Sequence, residues 1–255
     1  KAASSVKEIF KKGFKEVDTV TLTKYLGHAD SRVRIRASMQ LAKSHVGALI
    51  NAASSSDEFT AMHATWGLGI ASRNGHEKAQ LELKKLLSSQ ISHVRRIAIT
   101  ALGEIQAKVS ADKIVALLRD TDLRVAAATG ITLSKIGSTQ SLPSIITLLA
   151  HNNNKDVFLR HGLIMALTGA GEDEVIKLKS HSSSAVRLAA VVALFRLSSD
   201  KLSEFLNDTD KTIVEEAIFC IKDKKIPGAL GIVADLAKNS KIFNYSDLTI
   251  SRVLN

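Results

Sequence analysis

One frame recurs along this chain and limits what it can fold into. An apolar, often β-branched residue is followed by a small residue four positions on and an aliphatic residue, usually Leu, eight on. Arg often stands in second place. The frame reads VRIRASMQL from Val33, TAMHATWGL from Thr60, VRRIAITAL from Val94 and VAAATGITL from Val125. It continues as LRHGLIMAL from Leu159, VRLAAVVAL from Val186 and IVEEAIFCI from Ile213. The seven copies start 27, 34, 31, 34, 27 and 27 residues apart, room for two short helices and two turns. A unit of that size cannot bury its own apolar face, so units must stack side by side.

The fourth position holds Ala37, Ala64, Ala98, Thr129, Leu163, Ala190 and Ala217, and small side chains there let neighbouring helices approach closely. Before most copies comes a shorter apolar pattern with helical spacing: Leu22/Tyr25/Leu26, Leu83/Leu86/Leu87, Ile114/Leu117/Leu118, Ile145/Leu148/Leu149, Val175/Ile176/Leu178 and Leu202/Phe205/Leu206. Polar turns such as GHADSR, LRDTDLR, HNNNKD and LNDTDK separate the two, and their Asp or Ser can cap the second helix. Each unit is therefore expected to be a helical hairpin. The periodicity predicts second helices near residues 31–44, 58–72, 92–106, 122–136, 156–169, 184–198 and 210–222. A final helix should start at Pro227, where proline suits a first turn, and run to about Lys238. YSDLTISRVLN should begin another. The fold class predicted is all-α: an α-α superhelix of about seven hairpins with a terminal helix. Residues 1–16 form a separate basic segment, helical or linker, ahead of the repeat domain at 17–255.

On a helical wheel, positions zero, four, seven, eight and eleven of the frame cluster around the hairpin's own core, while two, six and nine point the other way. Position six holds Met39, Trp66, Thr100, Ile131, Met165, Val192 and Phe219; position two adds Ile35, Met62 and Leu188, and position nine adds Phe195. In a stack of this kind that side is the concave surface. The stretch AVRLAAVVALFRL, residues 185–197, carries only two charges, Arg187 and Arg196, and is apolar on every side. Neighbouring units cover part of such a helix, but so long an apolar stripe marks a binding surface. The expected partner-binding face is Met39, Trp66, Ile131, Met165, Val192, Phe195 and Phe219, covered by another domain or protein. His63, three residues from Trp66 on one helical face, and Arg160 with His161 are further candidate contacts. The alternative is that the histidines satisfy backbone groups within the stack while Trp66 fills space.

The unit resembles a HEAT repeat, and the turn Asp with a following Arg, as in Asp30 with Arg34, resembles the ladder such repeats make. More narrowly, HATWGLG at 63–69, FLRHGLIMAL at 158–167 and the run from 185 through KKIPGAL resemble the HEAT region of bacterial membrane-bound dehydrogenases of the sorbosone or glucose dehydrogenase type. In that family a β-propeller precedes the HEAT region and a cytochrome-c-like domain with CxxCH follows. Neither lies in these 255 residues, so dehydrogenase chemistry and haem do not carry over to this segment. What the resemblance implies is a scaffold within a larger exported protein, periplasmic or otherwise extracytoplasmic. The chain does not begin with Met, as expected for a mature product or an excised piece.

Composition removes several other functions. The single cysteine, Cys220, rules out an internal disulfide and any CxxC element, and its apolar helical setting predicts a buried thiol. Net charge is +10, which raises a nucleic-acid reading. Residues 1–50, however, hold ten Lys/Arg against four Asp/Glu, so the excess sits at one end. Arg32, Arg34, Arg36 and Lys43 there read as a solvated face with one ladder Arg. DNA glycosylases on HEAT-like scaffolds need stacking aromatics beside a cationic track, whereas Trp66 is the only Trp and Tyr25 and Tyr245 the only Tyr. Di-iron HEAT hydroxylases repeat His-Glu pairs, and here one pair, His76-Glu77, sits in a turn. No HxxxH spacing, GxGxxG, P-loop or local nucleophile signature is present. Neither catalytic, metal nor cofactor-binding residues are expected. The chain reads as a non-catalytic HEAT scaffold for protein partners, with a stand-alone HEAT adaptor as the alternative and a DNA-glycosylase-like protein behind it. No run of about 18 apolar residues exists to cross a membrane.

Overall fold

A computed structural model describes residues 2–238 and 246. Among the described residues every regular element is a helix, and they fall into two compact units, residues 1–136 and 137–255. The expected helix in YSDLTISRVLN lies outside the described residues, Ser246 apart.

The first unit opens with α1 (Ala2–Lys12) and holds four hairpins: α2 (Thr19–Tyr25) with α3 (Ser31–Ser44), α4 (Val46–Ala52) with α5 (Glu58–Arg73), α6 (Glu77–Leu86) with α7 (Ser92–Glu104), and α8 (Ala111–Leu118) with α9 (Leu123–Ile136). The second unit holds α10 (Leu142–Asn152) with α11 (Val157–Ala170), α12 (Glu172–Val175) continued by a 3-10 helix (Ile176–Ser180) with α13 (Ser184–Leu197), a 3-10 helix (Asp200–Phe205) with α14 (Lys211–Lys224), and α15 (Pro227–Lys238). Successive second helices pack in order, α3 on α5, α5 on α7 and α7 on α9 in the first unit, α11 on α13 and α13 on α14 in the second. Each unit is thus a run of stacked hairpins, the arrangement of an α-α superhelix. All seven predicted second helices are present within two residues of the expected ends.

Three first segments depart from the sequence reading. Helix α4 is absent from the apolar patterns picked out above, because VGALINA places only Leu49 and Ala52 deep in the core. In the last two hairpins the first segment is largely 3-10 instead of α. Both belong to copies spaced only 27 residues apart, a spacing that the Thr60 copy meets with the seven-residue α4 instead. A 3-10 turn rises about 2.0 Å per residue against 1.5 Å for an α-helix, so a shorter segment spans the same hairpin.

The frame residues pack mostly as the wheel predicts. Position eight, from Leu41 to Ile221, is buried in every copy, as is position four. Three positions differ. Position five, which the wheel left out of the core, is also buried throughout, as Ser38, Thr65, Ile99, Gly130, Ile164, Val191 and Ile218. Position eleven, assigned to the core, reaches the surface at Ser44 and Lys224. The wheel considers one hairpin, whereas each second helix is flanked by the next one. Position nine likewise is buried at Ala42, Gly69 and Gly103, where second helices approach closely. Gly69 faces the Ala101 methyl and Gly103 faces Thr132.

The same stacking answers for α13. It packs against α11, α14, α10 and the 3-10 segments on either side of it, which bury Ala185, Val186, Ala189, Ala190, Val191, Ala193 and Leu194. Most of its all-round apolarity is therefore internal to the second unit.

The turns share a bond that the sequence reading did not contain. Five residues before the frame's start, a side chain accepts the backbone N–H two residues on: His28 from Asp30, Ser55 from Asp57, Ser89 from Ile91, Asp120 from Asp122, His181 from Ser183 and Asp208 from Asp210. In the longer turn of the fifth hairpin, Asn152 accepts from Asp156. The residue that donates this bond then caps the helix where it is Asp, as at Asp30, Asp57, Asp122, Asp156 and Asp210.

Candidate functional site

The expected ladder exists with different partners. Asp30 pairs with Arg32 (2.6 Å), while Arg34 donates to the carbonyls of His28 (2.6 Å) and Ala29 (2.9 Å). The geometry accounts for this: Asp30 is taken up as the cap of α3, accepting the Arg32 N–H, while Arg34 also reaches the next hairpin, where its Nε meets His63. Arg95 shows the full arrangement. Its Nη1 donates to the Ser89 and Gln90 carbonyls, and its Nε and Nη2 fork onto Asp120 of the next turn at 2.6 and 2.8 Å. Arg187 repeats it, with Nη1 on the His181 and Ser182 carbonyls and a fork onto Asp208 at 2.8 and 3.0 Å. Burial works against the charges of Asp120 and Asp208, yet these guanidinium forks and the backbone N–H groups hold both carboxyls below the usual range. The ladder ties hairpins together and is structural.

The wheel's outward face is where surface remains available. Position six is buried in no copy: Met39 is 41% and Ile131 38% exposed, while Trp66, Met165, Val192 and Phe219 are half-buried. In the first unit a hollow of about 580 Å³ is lined by Ile35, Met62, His63, Trp66, Ile97 and Thr100, with Arg73, Arg96 and Glu104 also at its walls. Helices α3, α5 and α7 supply these residues from frame positions two, three and six and from the turn beyond. Met39 lies in a neighbouring hollow of about 370 Å³ with Phe10, Phe14, Lys15, Arg36 and Lys43. Helix α1 is held there by an edge-to-face series, Phe10 to Phe14 (5.5 Å) to Tyr25 (6.2 Å) to His28 (6.1 Å). Ile97, Arg73 and Arg96 were not singled out by the sequence reading. Their signal was in the same pattern, Arg96 and Ile97 at frame positions two and three of α7 and Arg73 in the last turn of α5.

In the second unit Phe195 and Phe219 meet with ring centroids 6.4 Å apart, and the Lys224 ammonium lies 5.0 Å from the Phe195 ring. Arg160 is half-buried and His161 exposed at the start of α11.

His63 does double work in the large hollow. Its Nδ1 meets the Phe59 carbonyl at 2.9 Å and its Nε2 accepts from Arg34 Nε at 3.4 Å. Burial, with the Arg34 charge beside it, depresses its pKa and keeps the ring neutral near pH 7. Glu104 is held ionised by Lys135, which hydrogen-bonds it. The groove thus presents an apolar floor with fixed charges at the edge, a surface suited to binding. Among the described residues no three His, Cys, Asp or Glu side chains converge as a metal ion would need, and no helix is long and apolar enough to cross a membrane.

Stacked hairpins and an Arg/Asp ladder that joins them define a solenoid of helical repeats, an α-α superhelix. The HEAT repeats family matches residues 46–129 and 81–168. Among solved structures, the fold is similar to the Escherichia coli protein YibA, at 17% identity over 94% of each chain with a TM-score of 0.51. The CpcE and CpcF complex of phycocyanin lyase from Nostoc sp. PCC7120 also matches, at 21% identity over 82% of this chain and 92% of that one, TM-score 0.49. So does an engineered protein, at 20% identity over 93% of this chain and 78% of that one, TM-score 0.45. A comparison with curated protein sequences returns no match.

Proposed function

We propose that this chain is a non-catalytic scaffold that holds a protein partner, or an adjoining domain of a longer polypeptide, on the outward face of its second helices. The observation that carries the reading is the hollow around Trp66: large apolar side chains from three successive hairpins converge on it, and Ile35 is 40% exposed. An apolar depression of that size within a repeat stack is a place for another surface to dock. The resemblance of residues 63–69, 158–167 and the run from 185 to exported dehydrogenases supports a parent protein of that type, whose own domains would be the first occupants to test.

The experiment has two arms. The coding sequence on both sides of this segment is read for a propeller upstream and CxxCH downstream, and those domains are supplied in trans to the parent chain, to Trp66→Ser and to Phe219→Ser. Both variants should bind more weakly, since anchoring aromatics carry a disproportionate share of interface energy. They should also lose far less stability than Leu102→Ser or Leu194→Ser, whose side chains are 0% exposed and whose replacement leaves a cavity and an unpaired hydroxyl. Unchanged affinity in both groove variants with the fold intact overturns the reading.

A further inference from the structure

The charge of this protein is not shared between its two units. Residues 1–136 hold 21 Lys/Arg against 12 Asp/Glu, whereas residues 137–255 hold 14 against 13. The unit that contains both hollows therefore carries nearly all of the net charge of +10. Part of that excess stands at the hollows themselves. Arg73 and Arg96 flank the floor made by Ile35, Met62, Trp66 and Ile97, and Lys15, Arg36 and Lys43 flank Phe10, Phe14 and Met39. Among the residues that line the two hollows the one acidic side chain is Glu104, and it is already paired with Lys135. Among the described residues Arg36, Lys43 and Arg96 take part in no salt bridge.

We infer that the occupant of this groove is an acidic protein segment bearing large apolar side chains. The inference rests on the scaffold reading above and adds the partner's chemistry. Apolar side chains of such a segment would fill the two hollows, while its carboxylates stay at the wet edge beside Arg73, Arg96, Arg36 and Lys43. Opposite charge at an interface edge steers association and selects among partners more than it adds affinity. A nucleic acid fits the same cations less well. Its phosphates need a continuous cationic track, and here Arg73 and Arg96 share their hollow with the apolar Ile35, Met62 and Ile97, against which a phosphate would lose water without a hydrogen bond.

Trp66 is the only tryptophan and lines the hollow, so its emission reports occupancy directly. The full chain is titrated with a tryptophan-free synthetic peptide of Glu, Leu and Phe, with its Lys-for-Glu counterpart, with polyglutamate and with duplex DNA. The acidic apolar peptide should shift Trp66 emission saturably and bind more weakly as salt rises. The double variant Arg73→Glu/Arg96→Glu, checked for helicity, should bind it about tenfold more weakly, because each exposed charge pair contributes little alone. That variant should instead prefer the Lys peptide. Equal binding of the Lys peptide to the parent chain overturns the acidic partner and leaves the scaffold standing. Polyglutamate or DNA binding better than the acidic apolar peptide overturns the inference as well. No response to any ligand also overturns it, and the Trp66→Ser assay with the flanking domains then decides the scaffold reading separately.

Discussion

Replacing Gly103 with Ala adds one methyl where α7 meets α9. The new Cβ would lie 2.8 Å from Thr132 Oγ1, 2.9 Å from its Cγ2 and 3.2 Å from its Cβ. Thr132 cannot easily give way. It is 2% exposed, β-branched and stiff about χ1, and its hydroxyl donates to the Ile99 carbonyl at 3.1 Å. Either the two helices part or Thr132 leaves its rotamer and surrenders that bond. Overpacking costs about 1–3 kcal/mol and the lost bond about 1 kcal/mol. Alanine's helix preference over glycine returns about 1 kcal/mol. The net expectation is destabilisation by about 1–3 kcal/mol. Urea denaturation followed by Trp66 emission, which reports on the first unit, measures it. Gly47→Ala is the control: nothing lies within 4 Å of its added Cβ, and a gain of up to about 1 kcal/mol is expected. In a Thr132→Ala background the Gly103→Ala cost should shrink, because the clashing atoms are mostly gone. A Gly103→Ala midpoint at or above the parent's, or an undiminished cost beside Thr132→Ala, would refute the close-approach argument.

Three further outcomes are expected. Asp208→Asn should lower stability by about 1–3 kcal/mol near neutral pH, since the Arg187 fork is charge-assisted and the Asp208 side chain is 4% exposed; a denaturant midpoint equal to the parent's would contradict a structural ladder. Because Asp208, Asp120 and Asp30 titrate below their ordinary 3.8, Asp30 at about 2, their contribution is complete above about pH 5 and disappears as pH falls through the folded values, so acid titration of stability should be flatter in Asp208→Asn. Ala98→Leu and Ala190→Leu, at positions 0% exposed, should each cost about 1–3 kcal/mol by thermal or urea denaturation. Cys220, whose thiol burial and the nearby Glu216 and Asp223 push up to about 12, should resist a disulfide reagent at pH 8 in the folded chain and react at once in denaturant.

The repeat frame determined much of this protein by itself. Its spacing gave the second helices to within two residues, and Ala, Leu and Val at fixed positions marked the core, because burial on a helix follows a 3.6-residue period that any window of the chain displays. The Asp caps were equally local. Pro227 opened the last helix for the same reason: proline at a first turn forfeits no hydrogen bond. Trp66, Met62 and Ile35 could be placed on an outward face from that period alone.

Contacts between hairpins had no such local signature. Nothing in VRIRAS says whether Arg34 turns to Asp30 or to the carbonyls of His28 and Ala29 and on to His63 of the next hairpin, since all lie within reach of its side chain. The burial of position five, the Gly103–Thr132 approach and the Arg95–Asp120 fork each join residues 25 or more apart in sequence. The 3-10 form of Asp200–Phe205 likewise reflects the gap its neighbours leave, which its apolar spacing does not encode. The groove lies between these cases. Its tryptophan could be read from one helix, but a hollow with Ile97, Arg73 and Arg96 around it exists only where α3, α5 and α7 come together, because a cavity belongs to the space between helices and no single helix contains it.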